Sequence, residues 1–135
     1  MTDFKLYEDL LKLVAPLEIT ENFELKGIKE NKDTIIIIFE EKEDKIPLEL
    51  QGKAVVLDGF MNSLSLQTFP LKDKTVYFEI KRRRWKEKGS KEGYHNHYEL
   101  HLQGMKTTKE FGAFLKEELG FSSTEYNELW RSLTH

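Results

Sequence analysis

The residues best suited to chemistry in this 135-residue chain are cations. Lys81, Arg82, Arg83, Arg84, Lys86 and Lys88, with Trp85 among them, place six basic side chains and an indole within eight positions. Guanidinium groups are planar forks of donors that match phosphates and guanine edges, and a tryptophan can stack on a base or pack against the protein. Between residues 72 and 91 nine side chains are basic and three acidic, a local balance of +6 in a chain of net charge −3. The two parts of the chain differ in the same sense: residues 1–60 carry −6 and residues 61–135 carry +3. The acidic total argues against a general nucleic-acid coat, yet a local basic stripe binds phosphate whatever the total.

Other chemistries find less support. There is no cysteine, which excludes disulfides, thiolate nucleophiles and Cys-ligated zinc or iron–sulfur sites. His95, His97, Glu99 and His101 share strand parity, and Gly89 followed by His95-x-His97 is faintly similar to the first metal motif of cupins. The carboxylate expected after it is misplaced and no second histidine motif follows. Three histidines and one glutamate along a single strand also span too far to close a coordination sphere, so no metal or cofactor is expected. No Gly-rich phosphate loop, no serine in a nucleophile elbow and no pair of acids with tuning neighbours is present, so no enzyme activity is expected.

The elements that must position the basic run are legible in the hydrophobic pattern. Residues 3–14 read as a helix, with Phe4, Tyr7, Leu10, Leu11 and Val14 at spacings of three and four. From Phe23 alternation takes over, Asn31-Lys32-Asp33 marks a turn, and Thr34–Glu40 is a β-branched run whose five apolar residues suit a central strand covered on both faces. Glu40, Glu41, Glu43 and Asp44 read as solvated charges guarding that run against aggregation. Ala54–Leu57 is a short strand ended by Asp58-Gly59, and Pro70 puts 61–71 at a sheet edge. Thr75–Trp85 reads as one long strand. Its expected partner is 94–102, antiparallel, with Ile80 facing Leu100, Phe78 facing Leu102 and Lys81 facing Glu99. On one uninterrupted strand Val76, Phe78, Ile80, Arg82 and Arg84 share a face. In that register Arg82 and Arg84 have no acid across from them and stay free for an external anion; ties to protein carboxylates would make the stripe a solubilising edge instead.

Thr107-Thr108-Lys109-Glu110 predicts a capping box opening a helix over about 108–119, with Gly120 at a left-handed C-cap. Ser122-Ser123-Thr124-Glu125 predicts a second box and a helix over about 123–133. The pair matches a helix-turn-helix in length, but Glu125 and Glu128 against Arg131 suit phosphate poorly, and a helical pair closing the core is the better reading. The expected fold is a single α+β domain over 1–135: an N-terminal helix, an antiparallel sheet built from hairpins over about 23–102, and a C-terminal helical pair. The start, MTDFKLYEDLL, has acids and no small-residue cleavage site, and the longest apolar run, 35–39, is far short of a membrane span. A soluble cytoplasmic protein is expected.

Two blocks carry a family resemblance. LSLQTFPLKDKTVYFEIKRRRW, followed after a polar loop by GMKTTKEFGAFLKEELG, resembles the N-terminal region proteins of Aon-type insertion-sequence transposases. The family pattern is close to FP-x-x-x-K-x-V-Y-x-x-x-KRRRW preceding G-x-x-x-TKEF-x-x-FLKE. It is met by Phe69, Pro70, Lys74, Val76, Tyr77 and Lys81 to Trp85, then by Gly104, Thr108 to Phe111 and Phe114 to Glu117. The region is also similar to the zinc-binding N-terminal module of larger related transposases, without its cysteines. The resemblance implies a non-catalytic accessory module of a mobile element, with the catalytic acidic triad on a separate transposase subunit and transposon-end DNA as the partner. The DNA-contacting residues expected are Lys81, Arg82, Arg83, Arg84, Trp85, Lys86 and Lys88. The alternatives are a protein-interaction module without DNA contact, docking through the acidic half, and a small metal- or ligand-binding β protein using the histidine face.

Overall fold

The computed structural model describes residues 15–102, 105–120 and 124. The expected helices at 3–14 and 123–133 fall outside these residues, apart from Ser-rich flank residue Thr124, which is helical. Two sheets carry the fold. The first has four strands in the order β1 (Phe23–Glu30), β2 (Thr34–Glu41), β5 (Lys74–Lys81), β4 (Leu64–Leu71). The second has the order β3 (Val55–Phe60), β6 (Arg83–Glu87), β7 (Gly93–Tyr94). A short helix α1 (Leu17–Asn22) leads into β1, and α2 (Lys109–Glu117) follows the sheets. The α+β class expected from the sequence is the one observed. Among the described residues no helix is long and apolar enough to cross a membrane.

Period-two alternation builds the first sheet. Ile35, Ile37 and Phe39 of β2, Val76, Phe78 and Ile80 of β5, Phe23 and Leu25 of β1 and Leu66 of β4 are buried on one face, joined by Ile19 of α1 and by Leu100. Each such side chain is worth about 1.5–3 kcal/mol when taken from water. Phe39 and Phe78 add an edge-to-face contact with ring centroids 5.3 Å apart. The expected turn at 31–33 joins β1 to β2, and β2 is central, flanked by β1 and β5. Its second face is only half covered, since Ile36 and Ile38 remain partly exposed. β4 lies at the end of the sheet, as Pro70 requires, and its register shifts between Thr68 and Leu71.

Three expectations are corrected. β2 and β5 run parallel, with Ile37 beside Phe78 and Phe39 beside Ile80, where hairpins alone would have made every pair antiparallel. β5 does not pair with 94–102: Ile80 faces Leu64, Phe78 faces Leu66, and Lys81 lies beside Glu40. Two better-matched apolar strands flank β5 on both sides and leave it no edge for a third. β3 is not ended by Asp58-Gly59; a bulge between Leu57 and Phe60, with Gly59 at φ +77°, carries it on to Phe60.

A second small core of Met105, Phe111 and Leu115, with Leu102 against it, seats α2 on β4. The helix is capped one residue later than the capping box implies. Thr108 is the N-cap, and its Oγ1 accepts the Phe111 N–H at 3.3 Å. The displacement has a cause: Gln67 of β4 donates to the Lys106 carbonyl and accepts from the Thr108 N–H, both at 3.0 Å, which holds 106–108 extended along the sheet. Gly120 adopts the expected left-handed φ of +77°, but the helix ends at Glu117 with Glu118 as its C-cap, two residues before the glycine.

The β4–β5 hairpin turns on Lys72 and Asp73, both in the left-handed region at φ 52° and 62°, because Leu71 pairs with Lys74 across a two-residue loop. Asp tolerates that conformation, but Lys is poorly suited to it, and it costs an ordinary L-residue roughly 1–2 kcal/mol. Replacing Lys72 by Asn together with Asp73 by Gly is expected to raise stability by about 1–2 kcal/mol. A urea midpoint that stays put or falls in the double variant would contradict this turn.

Candidate nucleic-acid interface

The basic run does not lie on one strand. β5 ends at Lys81 and β6 begins at Arg83, so Arg82 is the residue at which the chain leaves the first sheet for the second. Its carbonyl accepts the N–H of Met61, the residue just after β3, at 2.8 Å. The buried parity changes across it. Val76, Phe78 and Ile80 point inward before Arg82, whereas Arg83 and Trp85 point inward after it. Arg82 and Arg84 therefore do not continue the apolar face of β5, contrary to the reading of 75–85 as a single strand.

Glu41 fixes this change of phase. It is the last residue of β2 and fully buried, with 0% of its surface exposed. One carboxylate oxygen accepts the Arg83 backbone N–H at 2.8 Å, and the Glu41 carbonyl accepts Arg83 Nε at 2.7 Å. The other carboxylate oxygen accepts from Asn96 Nδ2 at 2.8 Å and from the Tyr98 hydroxyl. Asn96 also donates to the Lys45 carbonyl at 2.6 Å. A buried carboxylate is tolerable only with such a set of donors. Burial, and then the hydrogen bond and charge of Glu41, push the Tyr98 hydroxyl far above the usual phenol value. Glu41 is thus a structural anchor and not the solvated guard expected of it. Its position was available from parity: 35, 37, 39 and 41 form one face, and the run of acids around it masked the last member.

The run divides accordingly. Arg83 is 8% exposed and is engaged by the protein. Its guanidinium has Glu40 and Glu43 carboxylates at 3.8 and 3.9 Å and lies 4.9 Å from the centre of the Phe60 ring. Trp85 is 4% exposed, which removes its indole from base stacking. Lys81 is partly buried beside Glu40. Arg82 donates through Nη2 to the Asn62 carbonyl at 3.3 Å and carries no ion pair among the described residues. Arg84 is half exposed and, contrary to the expectation that no acid faces it, has Asp58 Oδ2 3.7 Å from its Nη2; an exposed pair of this kind is worth about 0.2–1 kcal/mol. Lys86 is partly exposed and Lys88 exposed, and the Lys88 N–H extends the β3–β6 ladder to the Ala54 carbonyl at 2.7 Å.

The second sheet consequently has two electrostatic faces. The register sets Val56 opposite Lys86 and Gly93 beside it, with Arg84 on the same side; Trp85, Glu87 and Tyr94 take the other. Tyr94 donates to Glu92 at 2.8 Å, and that bond, with the charges of Glu49 and Glu87, raises its hydroxyl above the ordinary phenol value. Arg84 and Lys86 therefore share one face, with Asp58 beside Arg84, and Glu87 lies with Tyr94 on the other. The histidines are not aligned on a strand, because β7 stops at Tyr94. His95 and His97 meet ring to ring at 4.5 Å, and among the described residues no group of three or more His, Asp or Glu side chains is placed to hold a metal ion.

Compared with known proteins, the chain matches no family model, no curated protein and no solved structure.

Two outcomes follow from the Glu41 centre. Glu41→Ala leaves the Arg83 N–H, Asn96 and the Tyr98 hydroxyl without their acceptor and is expected to cost about 1–3 kcal/mol or more in urea unfolding; a loss near zero would contradict the anchor. Tyr98 stays protonated in the folded chain while an unfolded tyrosine ionises above about pH 10. Its contribution is therefore complete below about pH 10 and is lost as pH rises past that value. Tyr98→Phe is expected to flatten the alkaline fall in stability, leaving a remainder from Tyr77 and Tyr94, whose hydroxyls are also raised. An unchanged alkaline slope would show that this hydroxyl is not held by Glu41.

Proposed function

We propose that the chain is a non-catalytic accessory module of an insertion-sequence transposase that contacts transposon-end DNA and works with a separate catalytic subunit. The observation that carries this reading is the cationic face of the second sheet, where Arg84 and Lys86, with Lys88 in continuation, are exposed or partly exposed and face one acid, Asp58, which holds Arg84 only weakly, while Glu87 lies on the other side. The resemblance of residues 64–85 and 104–120 to transposase N-terminal regions supports the choice of DNA as the polyanion. Of the seven residues expected at the interface, Arg82, Arg84, Lys86 and Lys88 are the ones with exposed or partly exposed cations to offer it, Lys81 is a marginal member, and Arg83 and Trp85 support the face from beneath.

The rival reading, a protein-interaction module without DNA contact, has its own support. Phe69 and Phe114 lie with ring centroids 5.5 Å apart, and both stay about two-fifths exposed beside exposed Leu71. One titration separates the two. Fluorescence anisotropy of the full chain at low salt is expected to show binding to a duplex carrying the terminal repeat. Alanine at Arg82, Arg84 and Lys86 together is expected to abolish that binding and leave the thermal midpoint nearly unchanged. Absence of binding by the unaltered chain would favour the rival.

A further inference from the structure

We infer, building on the DNA-contact reading, that the face formed by Arg84, Lys86 and Lys88 tracks the phosphates of one DNA strand and does not read bases. Arg84 and Lys86 occupy alternate positions of β6, so their Cα atoms stand about 6.6 Å apart, and Lys88 follows at the turn that ends the strand. A file of single positive charges along one strand and into its turn matches a repeating anion, and successive phosphates of one DNA strand are such a repeat.

The surroundings of the file argue against base readout. A two-stranded β-ribbon fits the major groove, which is about 12 Å wide. Here the strand bearing the cations is flanked on both sides at Trp85 and Lys86, by β3 and by β7. Three strands at about 4.8 Å spacing already span about 9.6 Å between outer axes, before side chains are added. The sheet therefore rests across the groove's edges, on the backbone. The neighbours of the cations on this face are Val56, Asp58 and Gly93, which offer none of the amide forks that read adenine.

Arg84, the one planar fork on the face, is held down. Asp58 lies 3.7 Å from its Nη2, and a β-carbon built on Gly93 would stand 3.3 Å from the same atom. The guanidinium thus lies over the backbone of β7, through space that a side chain at 93 would crowd. A group laid along the sheet presents its charge to a phosphate resting on the surface; it does not extend into a groove. Glu87 shares a side with Tyr94, whose hydroxyl donates to Glu92, and that side of the sheet suits a polyanion less well.

The test compares two duplexes of equal length and composition, one carrying the terminal repeat and one shuffled, using the full chain and anisotropy across a salt series. Backbone tracking is expected to give affinities within about threefold of each other and a slope of log affinity against log salt near −2.7 for three phosphates. Lys86→Ala and Lys88→Ala are each expected to weaken both duplexes alike and to reduce the slope by about one. Arg84→Lys keeps the charge and is expected to keep the affinity, whereas a base-reading arginine would lose it. A preference of a hundredfold or more for the terminal repeat, or loss of binding in Arg84→Lys, would overturn backbone tracking and leave the DNA-contact reading standing. Failure to bind either duplex would overturn both.

Discussion

The exchange between Glu41 and Arg83 is the interaction on which the arrangement of both sheets depends. A chain leaving one sheet for another must strand backbone groups at the crossing, and a buried amide without a partner costs as much as a lost hydrogen bond. Here the crossing falls at Arg82. The next amide is received by a carboxylate from the neighbouring strand, while the arginine's own Nε returns a bond to that strand's carbonyl. Asn96 and Tyr98 complete the carboxylate's coordination and thereby fasten the segment after β7, which has no ladder of its own beyond Tyr94. One acid therefore ties together the end of β2, the start of β6 and the return of the chain toward α2.

The same exchange sorts the charges. With Arg83 drawn inward, the alternation of β6 presents Arg84 and Lys86 outward together and sends Glu87 to the side of Tyr94. Had the strand continued without a change of phase, Arg83 and Trp85 would have faced solvent and two arginines would have followed Ile80 into the core. The polarity of the second sheet is thus a by-product of how the crossing is stabilised. An exposed cationic surface and a structural anchor share three consecutive arginines, with opposite demands on neighbours.

Much of the architecture was legible from local pattern. The turn at 31–33, the central place of β2, the terminal place of β4 and the left-handed Gly120 each follow from residue types acting within a few positions. What escaped depended on partners distant in sequence. Nothing in Thr34–Glu41 announces a parallel neighbour, since a doubly flanked apolar run satisfies either direction. The change of phase at Arg82 was masked because charged residues give no apolar alternation to follow; the one clue was Trp85, whose bulk belongs indoors and whose parity differs from Ile80. The capping box misplaced the helix start by a residue because Thr107 and Thr108 are both competent caps, and the ladder to Gln67 decided between them.

The parallel pairing of β2 with β5 also sets an order of events. The turns at 31–33 and 72–73 close short loops, so the β1–β2 and β4–β5 hairpins can form on their own within microseconds. Joining them requires Thr34 to find Thr75, a search across the whole of β3 and the stretch around it, and non-local closure of this kind is slow. Only afterwards does Glu41 meet Arg83. In that interval the β2 edge, five apolar residues long, lies open to any other chain. Glu40, Glu41, Glu43 and Asp44 then stand as unpaired negative charges at its end and repel a second copy. The acid that locks the finished fold is, until that moment, part of the chain's protection against its own nascent edge.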